Sequence, residues 1–494
     1  MTNLKQKSIN GMFWTISERM SVQVVQFVVQ IILARLLEPA QFGLIGMLMV
    51  FTAVAQSIMD SGFGSALIQK KDADQTDASS IFFFNLLLGI ILAIILTLLA
   101  PLIAQFYNQP ILTPLTRALS ITLILNAFSL VQTSLLAKRL DFKTQMKTSL
   151  LAVFISGVVG IVMAFRGFGV WSLVAQMVSK SLFQATFLWL FNDWRPSAII
   201  SFSSLKSMFA FGSKLLFSGL IDTIFRNIYQ TFIGKVYSPA DLGFYSKAKS
   251  IETAAVQSTS SSLGQVLFPS MVHLQNDLDS LKKAYRKTIR LSLFLHFPLM
   301  IGLWTVAEPL FRLLLTDKWA PSIPYFQILC IVGMLYPLHV LNLNILKVKG
   351  RSDLFLRLEI VKRALVVLTI FTTYRWGIIA ILYGQIATSL IGYFLNSYYS
   401  GRLINYSQCN QIKDLIPSFG SAVIMGFIMY LVGLLPVDSH LLKILFQTLA
   451  GVLVYFLVSL KTSSSELKEF MEILRNVIRT LHLGILRMTK RGKS

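Results

Sequence analysis

Eight basic residues sit inside long apolar stretches of this chain: Arg19, Lys180, Lys214, Arg226, Lys247, Lys249, Lys362 and Arg363. A charge at the centre of a bilayer costs about 2.5–3.5 kcal/mol on insertion scales, so such residues face protein or water and are functional by default. Lysine and arginine bind phosphate by charge, and arginine also by paired N–H donors. Lys180, Lys214, Arg226, Lys362 and Arg363 lie farthest from the ends of their stretches. Arg19 sits nearer one edge and Lys247 and Lys249 nearer the other, where long side chains snorkel. Four acids, Asp60, Asp222, Glu252 and Glu359, are candidates to take up H⁺ or Na⁺. The competing reading is structural. Asp222 and Arg226 are one turn apart, and Glu359 stands likewise to Lys362 and Arg363, so each acid can simply pair with its neighbour.

Other chemistry finds little footing. His273, His296, His339, His440 and His482 show no metal-ligand spacing. Two cysteines, Cys330 and Cys409, make neither a disulfide framework nor a metal site. The "DAD" at 72–74 mimics a glycosyltransferase metal motif but stands in a short loop without a nucleotide-binding domain. No cofactor is expected.

The elements that position these residues are apolar helices. Of 494 residues only 14% are charged, against about 25% in a soluble protein. Mean hydropathy is +0.66. The run "IFFFNLLLGIILAIILTLLAPLIA" at 81–104 exceeds the roughly 20 residues that span a bilayer. The first apolar stretch is too long for a signal sequence and carries Glu18 and Arg19, so it reads as a retained helix. Fourteen spans are expected: 13–36, 41–67, 79–106, 113–137, 144–166, 170–192, 205–235, 241–268, 284–310, 321–346, 354–376, 378–401, 414–435 and 439–460. With the N-terminus inside, the cytoplasmic segments hold 29 Lys and Arg and the outer ends eight, which places both termini in the cytoplasm. That asymmetry accounts for the net charge of +23 without nucleic acid. The tail from 462 repeats Leu467, Phe470, Met471, Leu474, Val477, Ile478 and Leu481 at helical spacing, with Ser463 and Glu466 placed as a capping box. It reads as an amphipathic basic helix at the membrane surface. Pro298, Pro309, Pro321, Pro324 and Pro337 are placed to bend the ninth and tenth spans.

A repeat relates the halves. "LLEPAQFG" at 36–43 returns as "VYSPADLG" at 236–243. At this offset Pro39 meets Pro239, Gly43 meets Gly243 and Gly64 meets Gly264. The polar stripe Arg19, Gln23, Gln26, Gln30 meets Gly219, Thr223, Arg226, Gln230. Six spans separate the copies, so the repeat is parallel. The expected organisation is an all-α polytopic membrane protein with two six-helix lobes around a central cavity. Residues 1–200 form the first lobe, 201–403 the second, 404–461 two further helices and 462–494 the tail. The stretch 241–268, with Lys247, Lys249 and Glu252, spans only if its polar face meets protein or water.

Taken together, the polar first helix, "LLEPAQFGLIGM", "DSGFGSALIQKKDADQTDASSIFFFN" at 60–85, "LLAKRLDFK" at 135–143 and "GFGVWSL" at 167–173 resemble Wzx-type lipopolysaccharide and exopolysaccharide flippases of the multidrug/oligosaccharidyl-lipid/polysaccharide exporter superfamily. The resemblance implies fourteen helices, two lobes and transfer of polyprenyl-diphosphate-linked oligosaccharide between leaflets of the bacterial cytoplasmic membrane, with other polysaccharide assembly proteins as further partners. A cationic cavity suits such an anion. A multidrug exporter would want an acidic one, and this chain offers eight basic against five acidic intramembrane residues, Glu18 included. A membrane polymerase or glycosyltransferase would need a sizeable extramembrane domain, and no loop here is long enough.

Overall fold

Lipid offers a backbone no hydrogen bonds, so a chain this apolar must satisfy every N–H and C=O within its own segments. The computed structural model does so with helices, and the described residues contain no strand. It describes the backbone of residues 2–475 except 61, 71, 463, 464, 473 and 474. Side chains are described for the same residues, except 2–13, 15–17, 19, 203–204, 207–215, 217–218 and 259–270. The helices are α1 (Thr2–Leu36), α2 (Pro39–Asp60), α3 (Phe63–Gln69), α4 (Gln75–Tyr107), α5 (Leu112–Lys138), α6 (Phe142–Phe165), α7 (Val170–Phe191), α8 (Phe202–Val236) and α9 (Pro239–His273). There follow α10 (Leu278–Thr305), α11 (Ala307–Leu315), α12 (Ser322–Met334), α13 (Tyr336–Val348), α14 (Ser352–Thr373), α15 (Ile378–Leu403), α16 (Gln408–Gly433) and α17 (His440–Thr462).

Among the described residues nine segments are long and apolar enough to cross a membrane: α2 with α3, α4, α5, α6, α10, α12 with α13, α15, α16 and α17. The chain is a multi-pass membrane protein. Charge and polarity keep other helices out of that group. On α14, Arg357, Glu359, Lys362 and Arg363 fall within two turns.

The chain divides into two compact units, residues 1–246 and 247–494. In the first, aromatic rings of α3, α4, α5 and α7 close one core: Phe82 packs edge-on against Phe128, Trp189 and Trp194. Arg195 donates to the carbonyls of Trp189, Asn192 and Trp194, satisfying groups that the end of α7 would leave bare. The "DAD" is a helix cap. Asp74 accepts from the Asp77 N–H at 2.7 Å while the Asp77 carboxylate accepts from the Asp74 N–H and pairs with Lys70 at 2.6 Å.

The repeated turn has a structural reason inside this first unit. Pro39 and Pro239 open α2 and α9 at the position where a missing N–H is harmless. Ser238 caps α9 through the Asp241 N–H at 3.1 Å. The two turns then meet backbone to backbone. A Cβ on Gly43 would lie 1.7 Å from the Pro239 oxygen, and one on Gly243 would lie 1.9 Å from the Pro39 oxygen. Only glycine allows that approach from both sides.

In the second unit α10 is the spine. Leu281, Tyr285, Ile289, Leu293, Phe297 and Ile301 bury one face against α13 and α16. Asp277 caps it through the Ser280 N–H at 3.0 Å, and the bonds from Ser280 hold the Asp277 carboxyl below its usual range. Part of the tail's apolar face, within 465–472, packs on this unit, and Met471 is exposed. Leu467 is buried, Phe470 packs on Phe294, Glu466 pairs with Arg290, and Glu469 reaches Lys287 at 3.0 Å. Ser463, the expected cap, lies outside the described residues.

Candidate functional site

The expected tenth span is two helices. Pro337 has no N–H to return to the Gly333 carbonyl one turn earlier, and the chain breaks at Leu335 between α12 and α13. The freed carbonyl is not left bare. His296 on α10 reaches it through Nε2 at 3.0 Å. A carbonyl only accepts, so that nitrogen carries the proton. Gly333 is also tight against α9: a Cβ there would lie 2.9 Å from Glu252 Oε1. The kink thus gathers Glu252, His296 and Gly333 in one place.

Glu252 is buried, and its charge is met on its own helix. Lys249 Nζ lies 2.7 Å from Glu252 Oε2, and the Thr253 hydroxyl donates to the same oxygen at 3.1 Å. Lys247 is 7% exposed, with its ammonium 5.7 Å from the centre of the buried Trp319 ring. A cation over a desolvated indole gains about 2 kcal/mol. This is how α9 carries two lysines and a glutamate: protein, not lipid, receives them.

The second cluster lies where α14 meets α13 and α15. Glu359 Oε1 and Lys362 Nζ are 2.5 Å apart, with side chains 23% and 19% exposed. Lys362 shares the floor of Gly392 with His339. Arg363, the next residue round α14, is half-buried.

In the first unit Arg226 pairs with Asp222 at 2.5 Å, but at 76% and 53% exposure. So open a pair is worth only a few tenths of a kcal/mol. Lys180 is exposed on α7 and makes no ion pair among the described residues. Asp60 accepts from Gln56 at 2.9 Å, and Gln56 in turn accepts from Asn126 at 2.9 Å, a polar ladder from α2 to α5. Gln30 on the expected stripe meets Gln176 on α7 at 3.3 Å, while Gln23 and Gln26 are exposed. Arg19 and Lys214 have side chains outside the described residues.

Each unit also carries an apolar groove, of about 800 Å³ in the second and about 620 Å³ in the first. Neither is lined by a charged side chain, so an anion would have no partner there.

Sequence reasoning paired the acids of α8 and α14, weighed His296 and His339 only as metal ligands, and overlooked Ser389 and Asn396. A signal was present. Gln385, Ser389, Gly392, Asn396 and Ser400 recur every three or four residues on α15, a polar and small-residue stripe in an apolar helix.

Comparison with known proteins agrees with this architecture. Residues 32–324 match the model of a family described as polysaccharide biosynthesis protein. The teichuronic acid biosynthesis protein TuaB of Bacillus subtilis (strain 168) is 25% identical over 93% of this chain and 97% of its own length. The lipopolysaccharide biosynthesis protein WzxC of Escherichia coli (strain K12) is 24% identical over 80% of this chain and 81% of its own. Among solved structures, the lipid II flippase MurJ in an inward closed conformation superposes with a TM-score of 0.71 at 15% identity, covering 91% of this chain and 98% of that one.

Proposed function

Because the chain belongs to the polysaccharide biosynthesis protein family, we propose that it carries a polyprenyl-diphosphate-linked oligosaccharide across the cytoplasmic membrane, by alternating access, for cell-surface polysaccharide. It is a transporter, not an enzyme. TuaB and WzxC are named for teichuronic acid and lipopolysaccharide biosynthesis, and they match along most of the chain.

What supports the reading is a set of cations on helices that pack against the apolar spans. Lys247, Lys249, Lys362, Arg363, Arg226 and Lys180 stand on α9, α14, α8 and α7, and most of their acidic neighbours are already engaged. A diphosphate is the part of the substrate that needs such cations. A cationic drug would instead need open carboxylates. Asp222, Glu252 and Glu359 each lie against a basic residue, so the charge balance supports the anionic cargo. The same acids, with Asp60, remain the proposed sites for a driving H⁺ or Na⁺.

The test is polysaccharide export in cells that depend on this chain. Replacing Lys180, Arg226 and Lys362 together with glutamine should lower export well below a tenth while the protein still inserts, since removing a central charge eases insertion. Full export by the triple variant would remove these residues from the mechanism. Both termini are proposed to face the cytoplasm; an impermeant thiol reagent that labels a cysteine placed at position 276 on intact cells would overturn that orientation.

A further inference from the structure

His339 stands in the first turn of α13, just past the Pro337 kink, and both of its ring nitrogens are engaged. Nε2 lies 3.1 Å from the Ser389 hydroxyl, and Nδ1 lies 3.2 Å from Asn396 Nδ2. An amide nitrogen only donates, so Nδ1 is the bare, accepting nitrogen and Nε2 carries the proton toward Ser389. The ring is therefore neutral in this arrangement. Asn396 itself is fully buried, and its Oδ1 has no hydrogen-bond partner. On the other side of the ring, a Cβ on Gly392 would touch His339 Cε1 at 3.3 Å and Lys362 Cδ at 3.4 Å. The imidazole and the lysine stem thus rest on one glycine, and the lysine is held by Glu359 at 2.5 Å.

We propose that His339 is a proton-binding site whose occupancy loosens the Lys362 ammonium from the Glu359 carboxylate. The local chemistry is prepared for one added proton. A proton from water forms an N–H bond at Nδ1, and the hydrogen bond from Asn396 Nδ2 is the one lost. Turning the Asn396 amide end for end brings its unpartnered Oδ1 to accept the new N–H, so the imidazolium gains an acceptor without moving the backbone. The charged ring then repels the Lys362 ammonium, whose stem rests on the same glycine. Lys362 is freed to hold an anion when the proton is bound and recaptured when it leaves. Of the other titratable groups on the helices packed around α13, Tyr393 on α15, Tyr285 and His296 on α10 and Cys330 on α12 are buried and Arg363 on α14 is half-buried. Tyr285 is tied to Asn342 at 2.8 Å and His296 to Gly333. The proton site stands on this geometry alone; its consequence for cargo rests on the anionic substrate proposed above.

The experiment reads the ring directly. The purified chain is placed in lipid nanodiscs with ¹⁵N-labelled histidine, five residues in all, and the imidazole nitrogens are followed by NMR from about pH 3 to pH 8. His339→Gln identifies the resonance. Where that variant does not fold, replacing the other four histidines leaves His339 as the remaining signal. The expected result is a titration within this range, with a midpoint that rises in Lys362→Gln and falls in Glu359→Gln. A resonance that does not titrate there, or a midpoint indifferent to both substitutions, overturns the proposal. Binding of geranyl diphosphate separates the two readings. It should tighten about tenfold between about pH 7 and pH 4 in the native chain, and His339→Gln should flatten that dependence. Undiminished pH dependence in His339→Gln overturns the proposal. Absence of diphosphate binding beside a ring that titrates as expected supports the proton site and tells against the anionic cargo.

Discussion

Adding one methyl group at Gly43 tests why the turn is repeated. The new carbon would lie 1.7 Å from the Pro239 oxygen, 2.6 Å from its carbonyl carbon and 3.1 Å from the Gly243 nitrogen. Ordinary contact is about 3.5–4.0 Å, so α9 must retreat by roughly 2 Å, and no side-chain rotation can substitute because every contacted atom is backbone. Overpacking of this kind costs about 1–3 kcal/mol, and the upper end applies where only backbone can yield. Alanine returns about 1 kcal/mol through its better helix propensity. The net expectation for Gly43→Ala is a loss of about 2 kcal/mol. Gly420→Ala is the control: it lies inside α16 with nothing within 4 Å of the added carbon, so only the propensity gain applies. The assay is thermal unfolding of detergent-purified protein. Gly43→Ala and Gly243→Ala should each melt below the native chain, and Gly420→Ala at or above it. The double variant Gly43→Ala with Gly243→Ala should lose less than the two singles summed, because one displacement relieves both clashes. A Gly43→Ala protein as stable as the Gly420→Ala control would refute the contact.

Two further outcomes follow from the second unit. His296→Leu should destabilise by about 1–3 kcal/mol by stripping the Gly333 carbonyl, and Pro337→Ala should reduce that loss by about 1 kcal/mol because it restores an N–H one turn on; a double-mutant cycle with no coupling would contradict the account. Arg290→Ala leaves the Glu466 carboxylate, 5% exposed, without its cation; discounted for the partial exposure of Arg290, the loss is about 2 kcal/mol. It should appear as faster hydrogen exchange at 465–472, whereas Lys287→Ala, from a more open pair, should leave exchange there nearly unchanged.

How much of this was legible in the sequence differed by type of force. Spans driven by apolarity alone, such as α4 and α17, stand out because lipid demands uninterrupted hydrophobic length. The helicity of α9 was legible through the repeat, since Lys247, Lys249 and Glu252 obscure it in hydropathy. Helical pairs such as Glu359 with Lys362 follow from spacing. The Pro337 break was legible as a bend, but its repair by His296 was not, because that residue lies about forty positions earlier and only packing joins them. The tail's periodicity predicts an amphipathic helix, yet periodicity does not say which surface the apolar face meets. Leu467 and Phe470 meet α10 and its neighbours rather than lipid headgroups. The Gln385-to-Ser400 stripe on α15 was written plainly and went unread because no single member carries a charge.

The central claim is transfer of a diphosphate-linked saccharide lipid, and the most direct measurement is its movement in liposomes. Purified chain is reconstituted with a polyprenyl diphosphate carrying a short labelled oligosaccharide, and the label's passage between leaflets is read by its protection from an added impermeant quencher. The account predicts transfer that depends on the protein, falls in the Lys362→Gln variant, and is absent for the same saccharide on an uncharged polyprenyl carrier. Equal transfer of charged and uncharged lipids, or none of the charged lipid by a protein shown to be folded, would contradict it.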